Sequence, residues 1–357
     1  MGAAPRVTWV IDGALDQPTG GYLYDRLVVD GLRARGFDLR LQQLTTGGAL
    51  HTLRESARVA AAWSRLPDGA LLVVDELCHP RVALAAALPR TKRALRVVAL
   101  VHHLAASERS GLSSRARLAV ERVLLDASAL MITTSHTTRR VLIAAGLPAS
   151  RVVVILPGRD RLGTRDAPPD PSPDGALRLL FIGAITPRKG VLPLVRAFAS
   201  IAPRASLTLV GPVDRDPRYA SAVRAEIARS SGAIRLTGHL DDEALRVELG
   251  RHDLLVLPSL YEGFGIVLAE ALSHGLGVIA TTAGAIPEVV RDGEEALLVP
   301  PGDERALARA LARVAADRAR VTAMQAHALT RAHALPRWRD TQARFAEALI
   351  TLSDGSR

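Results

Sequence analysis

Short apolar runs rich in β-branched residues alternate with helix-period segments, and the alternation runs along this chain twice. The stretches RVTWVID (6–12), ALLVVD (70–75), LRVVALVHH (95–103), ALMITTS (129–135) and RVVVILP (151–157) read as strands. Between them, GGYLYDRLVVDGLRARG and LSSRARLAVERVLLDA repeat their apolar residues at helical spacing. After residue 175 the pattern restarts with ALRLLFIG (176–183), ASLTLVG (205–211), AIRLTG (233–238), DLLVLPS (253–259), GVIATT (277–282) and EALLVP (295–300). Strands that are apolar on both faces, separated by helices, must lie in parallel sheets covered on both sides. The expected fold class is therefore α/β, with two doubly wound, Rossmann-like parallel-sheet domains, each offering its strand C-termini to a ligand. A cleft between two such domains is a natural binding place. The proline- and aspartate-rich RDAPPDPSPDG (165–175) can continue neither sheet nor helix, and is expected to link the halves. The expected division is 1–164, a linker 165–175, a second domain 176–335, and a C-terminal segment 336–357 containing the amphipathic helix PRWRDTQARFAEALI.

Size and composition agree with this. A chain of 357 residues exceeds the length at which single cores stop growing. One cysteine, Cys78, excludes an intrachain disulfide framework and fits a reducing compartment. The N-terminal MGAAPRVTWVIDG lacks the order of a signal peptide, and no apolar run approaches the roughly 20 residues that span a bilayer. The expectation is a cytoplasmic protein. Its net charge of +10 sits entirely in residues 1–165, with 23 Lys and Arg against 13 Asp and Glu; residues 166–357 hold 23 of each. A basic half attracts acidic acceptors, anionic lipid or nucleic acid; the alternative is solubility from a general arginine-rich habit, since Lys92 and Lys189 are the only lysines. Aromatic residues at 3% are too few for base stacking, which argues against nucleic acid. Peripheral contact with the inner face of an anionic membrane is the other expectation, with Arg115, Arg117 and Arg122 as candidate contacts and a solvated helix face as the simpler reading.

The segment YEGFGIVLAEALSHG (261–275) carries two glutamates eight positions apart. DLLVLPS should be a strand and IVLAEALSHG a helix, so LYEGFG joins a strand C-terminus to a helix N-terminus. Gly263 and Gly265 let backbone N–H groups approach a ligand, and the helix dipole favours an anion there. Eight residues at about 1.5 Å rise separate the carboxylates by about 12 Å, too far to grip one atom. That distance suits a sugar at Glu262, a ribose at Glu270 and a diphosphate over the helix start between them.

The run SLYEGFGIVLAEALSHGLGVIATTAGAIPEVVRDGEEALLVPPGD resembles the donor-binding segment of retaining glycosyltransferases of the GT-B fold, especially glycosyltransferase family four. The family shows a glutamate, seven residues and a second glutamate, then a strand, a small-residue loop and a Pro-Glu pair, here Pro287-Glu288. PTGGYLYDRLVVDGLRARG, TTSHTTRRVL, VVVILPGRD, LLFIGAITPRKGVLPLVRAF and IRLTGHLDDEAL resemble further family segments, so the likeness covers most of the chain. It implies a metal-independent enzyme without cofactor, using a nucleotide diphosphate sugar (UDP- or GDP-linked) as co-substrate and forming an α-linkage. It implies a donor-binding C-terminal domain, an acceptor-binding N-terminal domain, and a terminal helix crossing back, with Trp338 as a packing anchor. Residue by residue it places Glu262 near the donor sugar, Glu270 on the ribose hydroxyls, and the amides of Gly265, Ile266 and Val267 on phosphate and sugar. Lys189 matches the family's phosphate lysine. The arginine usual five positions earlier is Ala184 here, and Arg188 is the candidate replacement. Gly20 and Gly21 would let backbone approach the donor phosphate or the acceptor. His102, with His103 as reserve, matches the histidine near the reaction centre. No enzyme base has a signature, which leaves same-face attack with the leaving phosphate taking the acceptor proton.

Other readings stay open. A non-catalytic nucleotide-sugar-binding partner is favoured by Ala184 and opposed by Lys189 and both glutamates. An epimerase on the same fold would turn over donor without acceptor. A phosphorylase would need a Schiff-base lysine, and only Lys92 and Lys189 exist. Cys78 with His79 could form a nucleophile or metal pair, but a structural or acceptor-loop role fits better. His136 reads as a loop residue.

Overall fold

The computed structural model describes residues 5–45, 47–89, 94–104, 112–172 and 175–355; of residues 112–117 and 203 it describes the backbone only. Lys92 and the side chains of Arg115 and Arg117 therefore lie outside the described residues. The chain divides into two compact units. One comprises Met1–Gln17, Gly21–Pro157 and Arg339–Arg357; the other comprises Pro18–Gly20 and Gly158–Trp338.

Among the described residues, twelve strands form two six-stranded sheets, and every strand pairing is parallel. In the first unit, β1 (Arg6–Asp12), β2 (Asp38–Leu44), β3 (Leu71–Asp75), β4 (Arg96–Val101), β5 (Leu130–Thr133) and β6 (Val152–Val154) lie in the order β2-β1-β3-β4-β5-β6. β3 and β5 are buried along their whole length, as strands covered on both faces must be. The terminal helix Trp338–Ser353 runs from Arg339 onward as part of this unit, where the buried Phe345 ring stacks on Trp9 with centroids 5.5 Å apart.

In the second unit, β7 (Leu177–Ile182), β8 (Ala205–Val210), β9 (Ala233–Gly238), β10 (Leu254–Leu257), β11 (Gly277–Thr281) and β12 (Ala296–Val299) lie in the order β12-β11-β10-β7-β8-β9. The chain thus builds outward from β7 on one side, then returns to build outward from β10 on the other. Leu254 and Leu255 of β10 register with Leu179 and Leu180 of β7. Phe181 and Phe198 are wholly buried in this unit, each contributing about 1.5–3 kcal/mol of apolar burial.

Three local expectations change. Residues 165–172 and Gly175 lie inside the second unit, where the Arg165 amide donates to the Ser273 carbonyl at 2.9 Å and Arg178 reaches the Asp170 carbonyl. Proline prevents regular structure there but not packing. The division falls instead at Pro157/Gly158. His136 is not a loop residue: it opens the helix His136–Ala144, whose N-cap Ser135 accepts the Thr138 amide at 3.0 Å. No helix among the described residues is long and apolar enough to cross a membrane.

Candidate active site

In the second unit the strand order reverses between β7 and β10. Such a topological switch opens a crevice outside the strand C-termini, where doubly wound sheets hold their ligands. The loop after β7 carries Arg188 and Lys189, and the loop after β10 carries Glu262. A backbone bond from the Leu260 amide to the Arg188 carbonyl, 2.7 Å long, ties the two loops together.

Lys189 ends a turn of 3-10 helix, Pro187–Lys189, and its Nζ donates to Glu262 Oε1 at 2.5 Å. Arg188 Nη1 donates to the Tyr261 carbonyl at 2.8 Å and stands 3.9 Å from Glu262 Oε2. Both cations thus face one carboxylate, although Ala184 supplies no guanidinium. Burial alone would raise the buried Glu262 carboxyl, but Lys189 and Arg188 hold it below its ordinary value. Burial lowers Lys189 in spite of the attraction of Glu262.

The Glu262 loop is supported from behind. The Ala285 amide donates to the Glu262 carbonyl at 2.9 Å. Gly284 approaches so closely, at φ +58°, that a Cβ there would lie 2.1 Å from that carbonyl oxygen. Gly284→Ala must therefore displace the loop as well as strain the backbone. The strain alone costs about 1–2 kcal/mol, which should lower the melting temperature by roughly 2–8 °C in calorimetry and weaken ligand binding at Glu262. A variant with unchanged melting and unchanged ligand affinity would show that the loop is not braced here.

The helix Ile266–Ser273 starts from Gly265 at φ +83°, with no side-chain cap. Its first amides, including Ile266 and Val267, lack intrahelical partners and point a partial positive charge outward. Glu270, buried on the same helix, accepts from Arg161 Nε at 2.7 Å, and Arg161 also pairs with Asp242. Burial raises Glu270, and the Arg161 charge offsets part of that rise. Sequence reasoning missed Arg161; its only signal was a charged residue in VVVILPGRDRLG.

In the first unit, Asp12 ends β1, Asp75 ends β3, and His102 follows β4. His102 Nε2 lies 3.1 Å from Asp25 Oδ1 and 3.5 Å from Asp75 Oδ2. Its amide donates to Glu76 Oε2 at 2.8 Å. Burial would keep the imidazole neutral, but Glu76, Asp25 and Asp75 together raise it well above its ordinary value. Glu76 is pushed up to about 7, by burial first and then by Asp75. His103 lies aside from this cluster, with Nδ1 3.6 Å from Glu76 Oε1. Gly20 and Gly21 open the helix Gly20–Ala34, and a Cβ on Gly21 would come within 3.2 Å of His102 Cδ2. Gly21 makes room for the imidazole. Arg81 Nη1 pairs with Asp12 at 2.8 Å beside Asp75.

Among the described residues, Asp25, Asp75 and His102 are the one group whose atoms, all within 4.8 Å of one another, could hold a cation. The 3.1 Å contact is also an ordinary hydrogen-bond length, so a proton between imidazole and carboxylate accounts for it. Cys78 is wholly buried, and burial pushes its thiol up, which removes it as a thiolate nucleophile.

Comparison with known proteins shows the family and the fold. Residues 6–158 match the family model described as glycosyl transferase 4-like domain, and residues 176–317 match the one described as glycosyl transferases group 1. The chain belongs to the GT-B glycosyltransferases of this group 1, family-four-like kind. It is 32% identical over 197 residues to alpha-maltose-1-phosphate synthase of Mycolicibacterium smegmatis, covering 50% of each chain. It is 30% identical over 250 residues to a glycogen synthase of Mycobacterium tuberculosis, covering 68% of this chain and 58% of that one. The chain thus spans about half the length of the curated relatives it matches. In fold it is similar to sucrose-phosphate synthase from Thermosynechococcus elongatus, at TM-score 0.80, 21% identity and coverage of 98% and 99%. HepE of Anabaena, solved with UDP and glucose, superposes at TM-score 0.76 with 20% identity and coverage of 97% and 99%.

Proposed function

We propose that this chain transfers a sugar from a UDP- or GDP-sugar to an acceptor hydroxyl with retention, forming an α-linkage, without a metal. The observation that carries the reading is the Lys189–Glu262 pair at the switch point between β7 and β10, on the loop that feeds the uncapped helix start at Gly265. Lys189, Arg188 and the amides of Gly265, Ile266 and Val267 take up the charge of the departing diphosphate. Two cations and a helix end balance that charge without a Lewis acid. Glu270 accepts from the vicinal ribose hydroxyls. Glu262 and His102 orient the donor sugar, and Gly20 and Gly21 let backbone come near the substrates. The leaving phosphate takes the acceptor proton in a same-face attack. The second unit binds the donor and the first the acceptor. Support comes from HepE, whose structures contain UDP with glucose or UDP-glucose. The relatives named above are an alpha-maltose-1-phosphate synthase and a glycogen synthase. The basic first half favours an acidic or lipid-linked acceptor, at work in the cytoplasm or on the inner face of its membrane.

A thermal-shift screen of nucleotide sugars tests this. The true donor should raise the melting temperature with the logarithm of its concentration above Kd. Donor turnover with an acceptor should then give an α-linked product by proton NMR. No stabilisation by any UDP- or GDP-sugar would overturn the reading, and a β-linked product would overturn retention. Ala184 favours a second reading, a non-catalytic partner that binds the nucleotide sugar. Binding without transfer to any acceptor would select it, and turnover of donor alone would select an epimerase.

A further inference from the structure

We propose that Asp25 is a positioning residue for His102: it fixes the imidazole through Nε2, so that Nδ1, which has no partner among the described residues, is the nitrogen that meets the donor sugar. The inference rests on the proposed placement of His102 at the donor sugar and adds how the ring is held there.

His102 is anchored at nearly every group it has. Its amide donates to Glu76 Oε2 at 2.8 Å, and its carbonyl accepts the Thr134 and Thr138 hydroxyls at 3.4 and 3.3 Å. Tyr24 packs edge-on to the ring at 5.4 Å, and Gly21 leaves the Cδ2 edge uncrowded. Nε2 is shared between Asp25 Oδ1 at 3.1 Å and Asp75 Oδ2 at 3.5 Å. Nδ1 alone is left.

Asp25 interacts with His102 and with Asp75 beside it. It lies on the helix Gly20–Ala34, fully buried, and its Oδ2 has no hydrogen-bond partner. Buried polar atoms are nearly always satisfied. A carboxylate that accepts this cost and points its other oxygen at one imidazole sets that ring's tautomer and orientation. Burial, and then Asp75, push the Asp25 carboxyl well up while its hydrogen bond to His102 pulls it back, so the proton of this pair lies between Oδ1 and Nε2. Asp75 and Glu76 at the end of β3 add negative charge from the other side; His103 faces Glu76, and the Arg81–Asp12 pair stands beside Asp75. Burial opposes a charged ring, but these carboxylates outweigh it. A charged ring has a proton on Nδ1 as well. His102 then acts as a fixed hydrogen-bond donor to a sugar oxygen, not as a general base.

The test combines kinetics with side-chain NMR on the full chain. Asp25→Asn keeps the shape and removes the charge. It should lower kcat roughly ten- to hundredfold, the range for losing a hydrogen bond to a charged group, with the donor KM little changed. The alkaline limb of its pH profile should move to lower pH, because activity needs the ring protonated and the ring loses its proton sooner. In the wild type, labelled with ¹⁵N-histidine and assigned with His102→Gln, the nucleotide sugar found by the screen should shift Nδ1 and leave the Nε2 proton bonded. Wild-type kcat and an unmoved pH profile in Asp25→Asn, while His102→Gln is slow, would overturn this proposal alone. So would an Nδ1 signal that donor does not move, a result that needs no variant to fold. His102→Gln transferring at the wild-type rate would instead overturn the placement of His102 at the donor sugar.

Discussion

Lys189→Ala is expected to remove the donor-induced rise in melting temperature and to lower kcat/KM roughly ten- to hundredfold. The lysine pairs with the buried Glu262 at 2.5 Å, and in the proposed reaction it also neutralises the diphosphate. Losing a charged hydrogen bond to phosphate alone costs about 1.5–3 kcal/mol, or roughly ten- to hundredfold. Leaving Glu262 buried without its nearest cation costs about 3–5 kcal/mol in stability, which Arg188, 3.9 Å away, offsets only in part. The pH dependence follows from the sign of the shift. In the wild type Glu262 is held below its ordinary value, so it stabilises the fold above the unfolded carboxyl's range, and that stability fades as pH falls through the lowered value. Without Lys189, burial dominates and the folded value rises. The variant then loses stability as pH increases through it. The gap in melting temperature between wild type and variant should be wider at pH 7.5 than at pH 4.5. A gap that is equal at both, or wider in acid, would mean that Glu262 is not held ionised by Lys189.

Glu270→Ala is expected to act on binding more than on turnover. If the carboxylate accepts two hydrogen bonds from a ribose, its loss weakens ground state and transition state alike, so KM for donor rises while kcat holds. The affinity loss should be about 1.5–3 kcal/mol by calorimetry. The variant also strands Arg161, whose remaining partner Asp242 is exposed, and its melting temperature should fall. Lower stability with unchanged donor affinity would make Glu270 a purely structural partner of Arg161.

The parts of this protein that repeat were legible in its sequence, and the parts that meet at a distance were not. Runs such as LLVV and LLVL declare strands buried on both faces, and the helix patterns between them dictate the parallel order. Lys189, Glu262 and Glu270 were identifiable because their segments resemble a known family, and Gly265 because a glycine before an apolar helix marks its start. The Asp25–His102 contact joins residues 77 apart, and Arg161 meets Glu270 across 109. No local period encodes either pair, since only the folded sheet brings their elements together. Gly284 reads as one more small residue in TTAGAIPE until the Glu262 carbonyl is seen behind it. Ser135 was legible in principle as an N-cap before HTTRRVL, yet the threonines around it read equally well as loop.

The central claim is that a nucleoside diphosphate sugar lies along the helix that begins at Ile266. The most direct measurement is a crystal structure with the donor that the screen identifies. The account predicts diphosphate oxygens within hydrogen-bond distance of Lys189 Nζ and the Ile266 and Val267 amides, with ribose hydroxyls on Glu270. Clear density for the donor elsewhere, with Lys189 still closed on Glu262 and Glu270 touching only Arg161, would contradict it.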